Sequence, residues 1–378
     1  RSNDGEPTAR SDWRPGAAVR VTIRDIAAKA GVSKTTVSFV LNDPGRISPE
    51  TRKRVLDIIA EMGYEPDSVA RALATRRLGA IGLLLPQPLH EALSNPHLCE
   101  IVRGIGMICD ERGLVLTMLP PIRGKVEEAA RRAAVDSLIM IGVEVDTEVT
   151  RILGRRHLPF VTIDAREMEG IANIGIDDEA AAQAMMEHVL ALGHRRVGIL
   201  RLKPEAYSSG AEGHSLVSER RLSGFAKALS KFNLEAGGPD AAIVLAEGSF
   251  EGGLRAADEL LALPGPMPTA FVAMADIIAL GAYDAFRRRG LSVPSDASVS
   301  GFDDIPLASR ASPPLSTVRQ AGFEKGAGAA TLACELLSRA DSRSRILPFE
   351  LVIRASTGSP GQSRKPDPAQ DPAAAAPR

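Results

Sequence analysis

Between Gly79 and Thr357 the chain alternates short apolar runs with amphipathic segments, and this alternation constrains the fold more than any other feature. The runs Ala80–Leu85, Val115–Leu119, Ser137–Ile141, Phe160–Asp164, Arg196–Leu200, Ala242–Leu245, Ala270–Ala273 and Ala297–Gly301 read as strands. Segments such as Glu179–Leu192 and Asp276–Arg289 carry helical periodicity between them. Alternation of this kind gives parallel sheets flanked by helices, an α/β architecture. The strands are too many for one compact doubly wound unit, so two such units with a cleft between them are expected. In such folds ligands bind beyond the carboxyl ends of strands. Asp164, Asp276 and Asp303, each just after a strand, are therefore candidate site residues.

Residues 20–66 follow a different rule and read as three short helices. Thr22 begins the first, with Asp25 three residues on in the manner of a capping box. Ile23, Ile26, Ala27 and Ala30 form its apolar face, and Gly31 ends it. Ser33 caps a second helix that turns Val37, Val40 and Leu41 inward and stops at Asn42-Asp43-Pro44-Gly45. Ser48-Pro49 starts the third, Val55, Ile58, Ile59 and Met62 face inward, and Gly63 closes it. Two short helices joined by a Gly-containing turn make a helix-turn-helix. The outer face of the second helix offers Lys34, Thr35, Thr36 and Ser38, residue types suited to phosphates and base edges.

Charge supports this division. The whole chain of 378 residues has a formal net charge of −1, yet Arg20 to Arg77 holds 11 Lys/Arg against 7 Asp/Glu. A basic head on an acidic body is the electrostatic footprint of a phosphate partner. Residues 1–19 and 358–378 are polar or Pro/Ala-rich and read as disordered tails.

Other classes fit poorly. No run approaches the ~18 apolar residues of a membrane span, and the N-terminal stretch has no apolar core of a signal peptide. Cys99, Cys109 and Cys334 are odd in number and scattered, which suits a reducing cytoplasm and neither a disulfide framework nor a zinc module. There is no Gly-rich phosphate loop ending in Gly-Lys, no nucleophile elbow and no paired-histidine metal motif. Gly104-Ile105-Gly106 sits inside a helical stretch, a poor setting for a nucleotide fingerprint. The pairs Asp177-Asp178 and Asp303-Asp304 could do acid–base work, but strand-end acids more often cap a helix or bind a hydroxyl. No cofactor or metal is expected.

The motifs also carry a resemblance. Val21-Thr22-Ile23-Arg24-Asp25-Ile26-Ala27, Ala30-Gly31-Val32-Ser33, Thr36-Val37-Ser38, Ser48-Pro49-Glu50-Thr51-Arg52 and Gly63-Tyr64-Glu65-Pro66 resemble the DNA-binding head of the lactose/galactose repressor (LacI/GalR) family. Ser68-Val69-Ala70-Arg71-Ala72-Leu73 resembles its hinge helix. In the body, Asn95-Pro96, Gly193-His194-Arg195-Arg196, Arg221-Leu222-Ser223-Gly224-Phe225, Gly301-Phe302-Asp303-Asp304-Ile305-Pro306 and Pro313 through Gln320 continue it, in the family's order. The likeness spans roughly residues 20–357.

This resemblance implies a head at 20–66, a hinge at 67–78 and a periplasmic-binding-protein-like body at 79–357, whose two subdomains are linked by crossovers near 165–178 and 305–340. It implies a cytoplasmic homodimeric transcription regulator, not an enzyme, that binds a palindromic DNA operator under control of a small effector such as a sugar, a sugar derivative or a purine. DNA contacts are expected from Thr22, Ser33, Lys34, Thr35, Thr36, Ser38, Phe39, Asn42 and Tyr64, and from Ser68, Ala70, Arg71 and Leu73 in the hinge. Effector contacts are expected from His97, Leu98, Asp164, Arg221, Phe250, Asp276 and Asp303. The chain departs from the family pattern where two aromatics often follow Asn-Pro: here stand His97 and Leu98. Ala165 and Ala275 replace more polar neighbours of the strand-end acids, and the stretch Leu202–Ser218, with Tyr207, Glu212 and His214, is long. A solute-binding receptor, or a sugar- or nucleotide-processing enzyme on the same body, is the alternative.

Overall fold

A computed structural model describes residues 21–42, 44–64, 77–142, 148–203, 215–338 and 343–361. It divides into two compact units, residues 1–78 and 79–378.

In the first unit, α1 (Ile23–Ala30), α2 (Lys34–Asn42) and α3 (Pro49–Met62) enclose a core of Ile26, Ala27, Ala30, Val37, Val40 and Val55. The turn between α1 and α2 works because Gly31 adopts φ 65°, a left-handed conformation that costs glycine little. Asp25 accepts from both the backbone N–H and the hydroxyl of Thr22, at 2.8 and 2.7 Å. Ser33 Oγ accepts the Thr36 N–H at 3.0 Å, and Ser48 Oγ accepts from Thr51 with Pro49 in the first turn of α3.

The second unit begins with β1 (Ala80–Leu84), α4 (Leu89–Ala92), α5 (Pro96–Arg112), β2 (Val115–Leu119), α6 (Val126–Arg132), β3 (Ser137–Ile141), α7 (Glu148–Arg155), β4 (Phe160–Ile163) and β5 (Asn173–Gly175). It continues with α8 (Asp178–Ala191), β6 (Val197–Leu202), α9 (Leu216–Lys231), β7 (Ala241–Ala246), α10 (Phe250–Ala262), β8 (Ala270–Ala273), α11 (Asp276–Arg288) and β9 (Ser298–Ser300). It ends with β10 (Thr317–Arg319), α12 (Gly322–Leu337), β11 (Arg345–Ile346) and β12 (Glu350–Val352). One parallel sheet runs in the order β11-β5-β4-β3-β1-β2 and another in the order β7-β6-β8-β9, while β10 and β12 form a small antiparallel pair. Each large sheet is covered on both faces, which is why β1, β3 and β8 read as unbroken apolar runs rather than alternating ones.

The chain leaves the first sheet after β5, returns to it through α12 and β11, and leaves again before β12. This last passage has no counterpart in the sequence reading, and Leu347 within it packs against the cores of both sheets. α12 lies against α5, β3, β4 and β5, so it belongs with the first sheet although it follows the second in sequence.

Two expectations are corrected here. Asp164 is not a strand residue: β4 stops at Ile163, and Asp164 turns to φ 56°. The segment from Gly358 does not begin a tail at that point. Gly358 donates to Ser298 Oγ at 3.0 Å, its carbonyl lies 2.8 Å from His194 Nε2, and Pro360 lies against Gly193. Residues 1–19, most of the expected hinge, residues 204–214 and residues 362–378 lie outside the described residues.

Candidate functional site

In the head, Lys34 and Thr35 are exposed on the first turn of α2. Ser33 and Thr36 are engaged with one another, their hydroxyls 2.9 Å apart, so their side chains build the helix cap. Thr22 is likewise occupied by Asp25. Phe39 is half-buried but stands apart from the head's apolar core; the Arg46 guanidinium lies 5.5 Å from its ring centroid. Tyr64 packs against that core. The side chain of Asn42, and Ser68, Ala70, Arg71 and Leu73, lie outside the described residues.

In the body, charged side chains from both sheets meet in one buried cluster. Arg221 on α9 donates from Nε to Asp178 Oδ1 on α8 at 2.9 Å, and from Nη1 to the Met274 carbonyl at the end of β8. Its guanidinium carbon sits 3.6 Å from the Phe302 ring centroid, a stacking that suits a planar delocalised cation. Asp303, after β9, lies 3.9 Å from Arg221 Nη1 and accepts from the Gln320 amide. Gln320 Oε1 in turn accepts from Lys325 Nζ at 2.6 Å, and Lys325 donates to both oxygens of Asp164 at 2.7 and 2.8 Å. The contacts thus run Asp178–Arg221–Asp303–Gln320–Lys325–Asp164, from α8 beside the second sheet to the end of β4 in the first. Arg220 adds a second link, donating from α9 to the carbonyls of Asp164 and Ala165 at 3.3 and 2.8 Å.

Burial sets the protonation of these groups. Asp303 is pushed up to about 6, chiefly by loss of solvation, against the pull of the Arg221 charge. Burial raises Asp164 as well, with Lys325 opposing. His97, at the start of α5, is held well below the usual imidazole range by burial and then by the charges of Lys325 and Arg221, so it is neutral at pH 7. Its Nε2 is a buried atom with no hydrogen-bond partner, and so is Asp178 Oδ2. Arg220 Nη1 stands 4.0 Å from that oxygen.

Of the expected effector residues, His97, Asp164, Arg221 and Asp303 come together here. Leu98 does not: it is 6% exposed and belongs to the apolar core under α5, because the helix turns it inward one position after His97. Asp276 lies apart from these contacts. It is fully buried at the head of α11, where its carboxyl accepts from the Thr317 hydroxyl at 2.6 Å and the Ile305 N–H at 2.9 Å. It ties β10 and the post-β9 loop to α11. Phe250 is 37% exposed on the first turn of α10, after β7. Asp178, Arg220, Gln320 and Lys325 were not foreseen as site residues. Lys325 did leave a signal, the lone cation of its helix on the small-residue face Gly322, Gly326, Ala329, Ala330 and Ala333.

Among the described residues no helix is long and apolar enough to cross a membrane, and no group of His, Cys, Asp and Glu is arranged to hold a metal.

Comparison with known proteins follows the same division. Residues 22–67 match the family described as bacterial regulatory proteins, lacI family, and residues 186–357 match a periplasmic binding protein-like domain. An HTH-type transcriptional regulator of Mycolicibacterium smegmatis is 34% identical over 334 residues, 81% of this chain and 88% of that protein. The lac repressor dimer bound to operator and the anti-inducer ONPF superposes with a TM-score of 0.75 at 28% identity, over 89% of this chain and 99% of that one. A complex of the transcriptional regulator CelR with cellobiose gives a TM-score of 0.64 at 25% identity, over 89% and 100% of the two chains.

Proposed function

This chain belongs to the LacI family of bacterial regulatory proteins, and from that premise we propose how it works. It is a DNA-binding transcription regulator rather than an enzyme. Two copies bind a palindromic operator in the cytoplasm, each placing α2 in the major groove of one half-site. Lys34 and Thr35 reach base edges, since their side chains are exposed while Ser33 and Thr36 hold the cap. A small effector binds between the two sheets of the body. The relative with cellobiose bound supports a sugar-like ligand.

The observation that carries this reading is the buried charge cluster. It collects side chains from the carboxyl ends of strands in both sheets, where α/β folds bind ligands, and it holds two buried polar atoms without hydrogen-bond partners. A ligand that satisfied atoms from both halves would favour one arrangement of the sheets over another. Operator affinity and ligand affinity would then be coupled, typically by about 1–3 kcal/mol.

The test is binding-site selection with the full chain, followed by titration of the selected duplex with and without sugars and purines. A palindromic duplex whose affinity changes on adding one compound is the expected result. Failure to enrich any sequence over random DNA would overturn the regulator reading; enrichment with no response to any compound would overturn only its effector part.

A further inference from the structure

Lys325 is the one fully buried lysine among the described residues. An isolated ammonium cannot stay charged in such a place unless its donors are met. Here all three are: Asp164 Oδ1, Asp164 Oδ2 and Gln320 Oε1, at 2.7, 2.8 and 2.6 Å. Two consequences follow. The Asp164 carboxylate is turned toward α12 and closed by its ion pair, so it is not an open acceptor. The carbonyl oxygen of Gln320 faces Lys325, so its amide nitrogen faces the other way and donates to Asp303. Lys325 therefore fixes one residue on each side of the cluster.

What stays open is defined by what Lys325 closes. Four buried side-chain atoms among the described residues lack a hydrogen-bond partner, and two of them, His97 Nε2 and Asp178 Oδ2, belong to this cluster. They come from opposite halves of the body. Asp178 Oδ2 can only accept, so a ligand reaching it must donate. An anionic ligand would meet the carboxylates of Asp164, Asp178 and Asp303, with Lys325 already engaged, Arg221 tied to Asp178, and Arg220, 4.0 Å from Asp178 Oδ2, donating to the carbonyls of Asp164 and Ala165.

We propose that Lys325 is a specificity-determining residue of the small-molecule site: it withdraws Asp164 from ligand binding, orients Gln320, and leaves a site that takes uncharged, donor-bearing polyhydroxyl compounds and refuses their phosphorylated or carboxylated forms. This rests on the reading that the effector binds between the sheets.

The experiment compares the full chain with Lys325→Met. Calorimetric titrations use ribose, cellobiose, ribose 5-phosphate and gluconate. In parallel, the carbon-13 carboxyl signal of Asp164, identified by its loss in Asp164→Asn, is titrated with pH. The parent is expected to bind an uncharged probe at least about tenfold more tightly than either anion, and Lys325→Met to widen that gap, because the freed Asp164 carboxylate adds an acceptor for donors and repels anions. The Asp164 titration is expected to move to higher pH by more than about one unit when the cation is removed. If Lys325→Met does not fold, Asp164→Asn/Lys325→Met removes the pair together without changing the net charge, and its preference is expected to stay that of the parent. An unmoved Asp164 titration, a parent that prefers an anionic probe, or a parent that binds none of the four overturns the proposal. Operator selection by the parent remains a separate result, so the regulator reading does not fall with it.

Discussion

Arg221 Nε lies 2.9 Å from Asp178 Oδ1, and both side chains are buried, at 4% and 0% exposure. The pair joins α9 to α8 at the point where α9 also reaches the end of β8. Removing one partner of a buried pair leaves the other charged and unsolvated, which typically costs about 3–5 kcal/mol. Arg221→Ala is therefore expected to lower stability by that order, and Arg221→Ala/Asp178→Ala by less than the sum of the single changes. Urea unfolding of the four proteins measures the coupling; additive losses would show that the two groups act independently. It follows that loss of ligand response in Arg221→Ala would not by itself make Arg221 a ligand contact. Arg221→Lys keeps the charge and loses the fork of donors, so it is the variant whose ligand response is informative.

Asp276 gives a pH dependence with a definite sign. Burial, reinforced by the neighbouring Asp303 charge, pushes its carboxyl up to about 8, against 3.8 for an unperturbed aspartate. Between those values the unfolded chain has lost the proton that the folded chain keeps. Unfolding then releases a proton, so this group's contribution to stability falls as pH rises through the window and levels off above it. Asn at this position can still accept from the Ile305 N–H, and its amide can donate to Thr317 Oγ1, the hydroxyl from which the carboxyl accepts. Asp276→Asn is expected to be close to the parent in stability near pH 5 and increasingly more stable than it toward pH 8. Chemical denaturation across that range checks this; parallel curves at all pH values would remove Asp276 from the account.

The contact of α5 with α12 brings His97 against Gly322, and it depends on glycine. A Cβ on Gly104 would stand 2.0 Å from the Phe323 carbonyl oxygen and 2.7 Å from the Ala327 nitrogen, both backbone atoms that cannot swing aside. Gly106, two residues on, has nothing within 4 Å of the same position. Gly104→Ala should thus destabilise by about 1–3 kcal/mol through overpacking. Gly106→Ala should stabilise by roughly 0.5–1 kcal/mol through helix propensity. Thermal unfolding midpoints moving in opposite directions would confirm the packing; equal shifts of one sign would contradict it.

The sequence made the sheets legible where burial on both faces produced an unbroken apolar run. Ser137–Ile141 and Ala270–Ala273 are strands from end to end as expected; Val115–Leu119 matches too, although it is a partly exposed edge strand. The short strands Asn173–Gly175, Thr317–Arg319, Arg345–Ile346 and Glu350–Val352 were invisible, because two or three residues carry no period and their pairing is set by distant chain. The site divides similarly. Asp164, Arg221 and Asp303 could be found because strand ends and a familiar motif marked them. The role of Asp276 could not, since it depends on Thr317, 41 residues away. Nor could that of Lys325, whose partner Asp164 is 161 residues distant.

Base readout by α2 is expected to turn on Phe39. The inward face of that helix is complete without it: Val37 and Val40 are buried and Leu41 packs beside them, while Phe39 lies outside the core and meets Arg46 instead. An aromatic ring on the groove side cannot hydrogen-bond a guanine edge and gains most from contact with a thymine methyl. The operator position facing Phe39 is therefore expected to prefer A·T pairs. Phe39→Arg should shift that position toward G·C, because arginine can donate in bidentate fashion to guanine O6 and N7, a contact worth about 1–3 kcal/mol of discrimination. The change should leave the head folded, since no apolar core contact is lost. Site selection with parent and variant, with the head's thermal unfolding as control, decides the matter. Unchanged base preferences, or an unfolded head, would place Phe39 in the service of packing against Arg46 rather than of DNA.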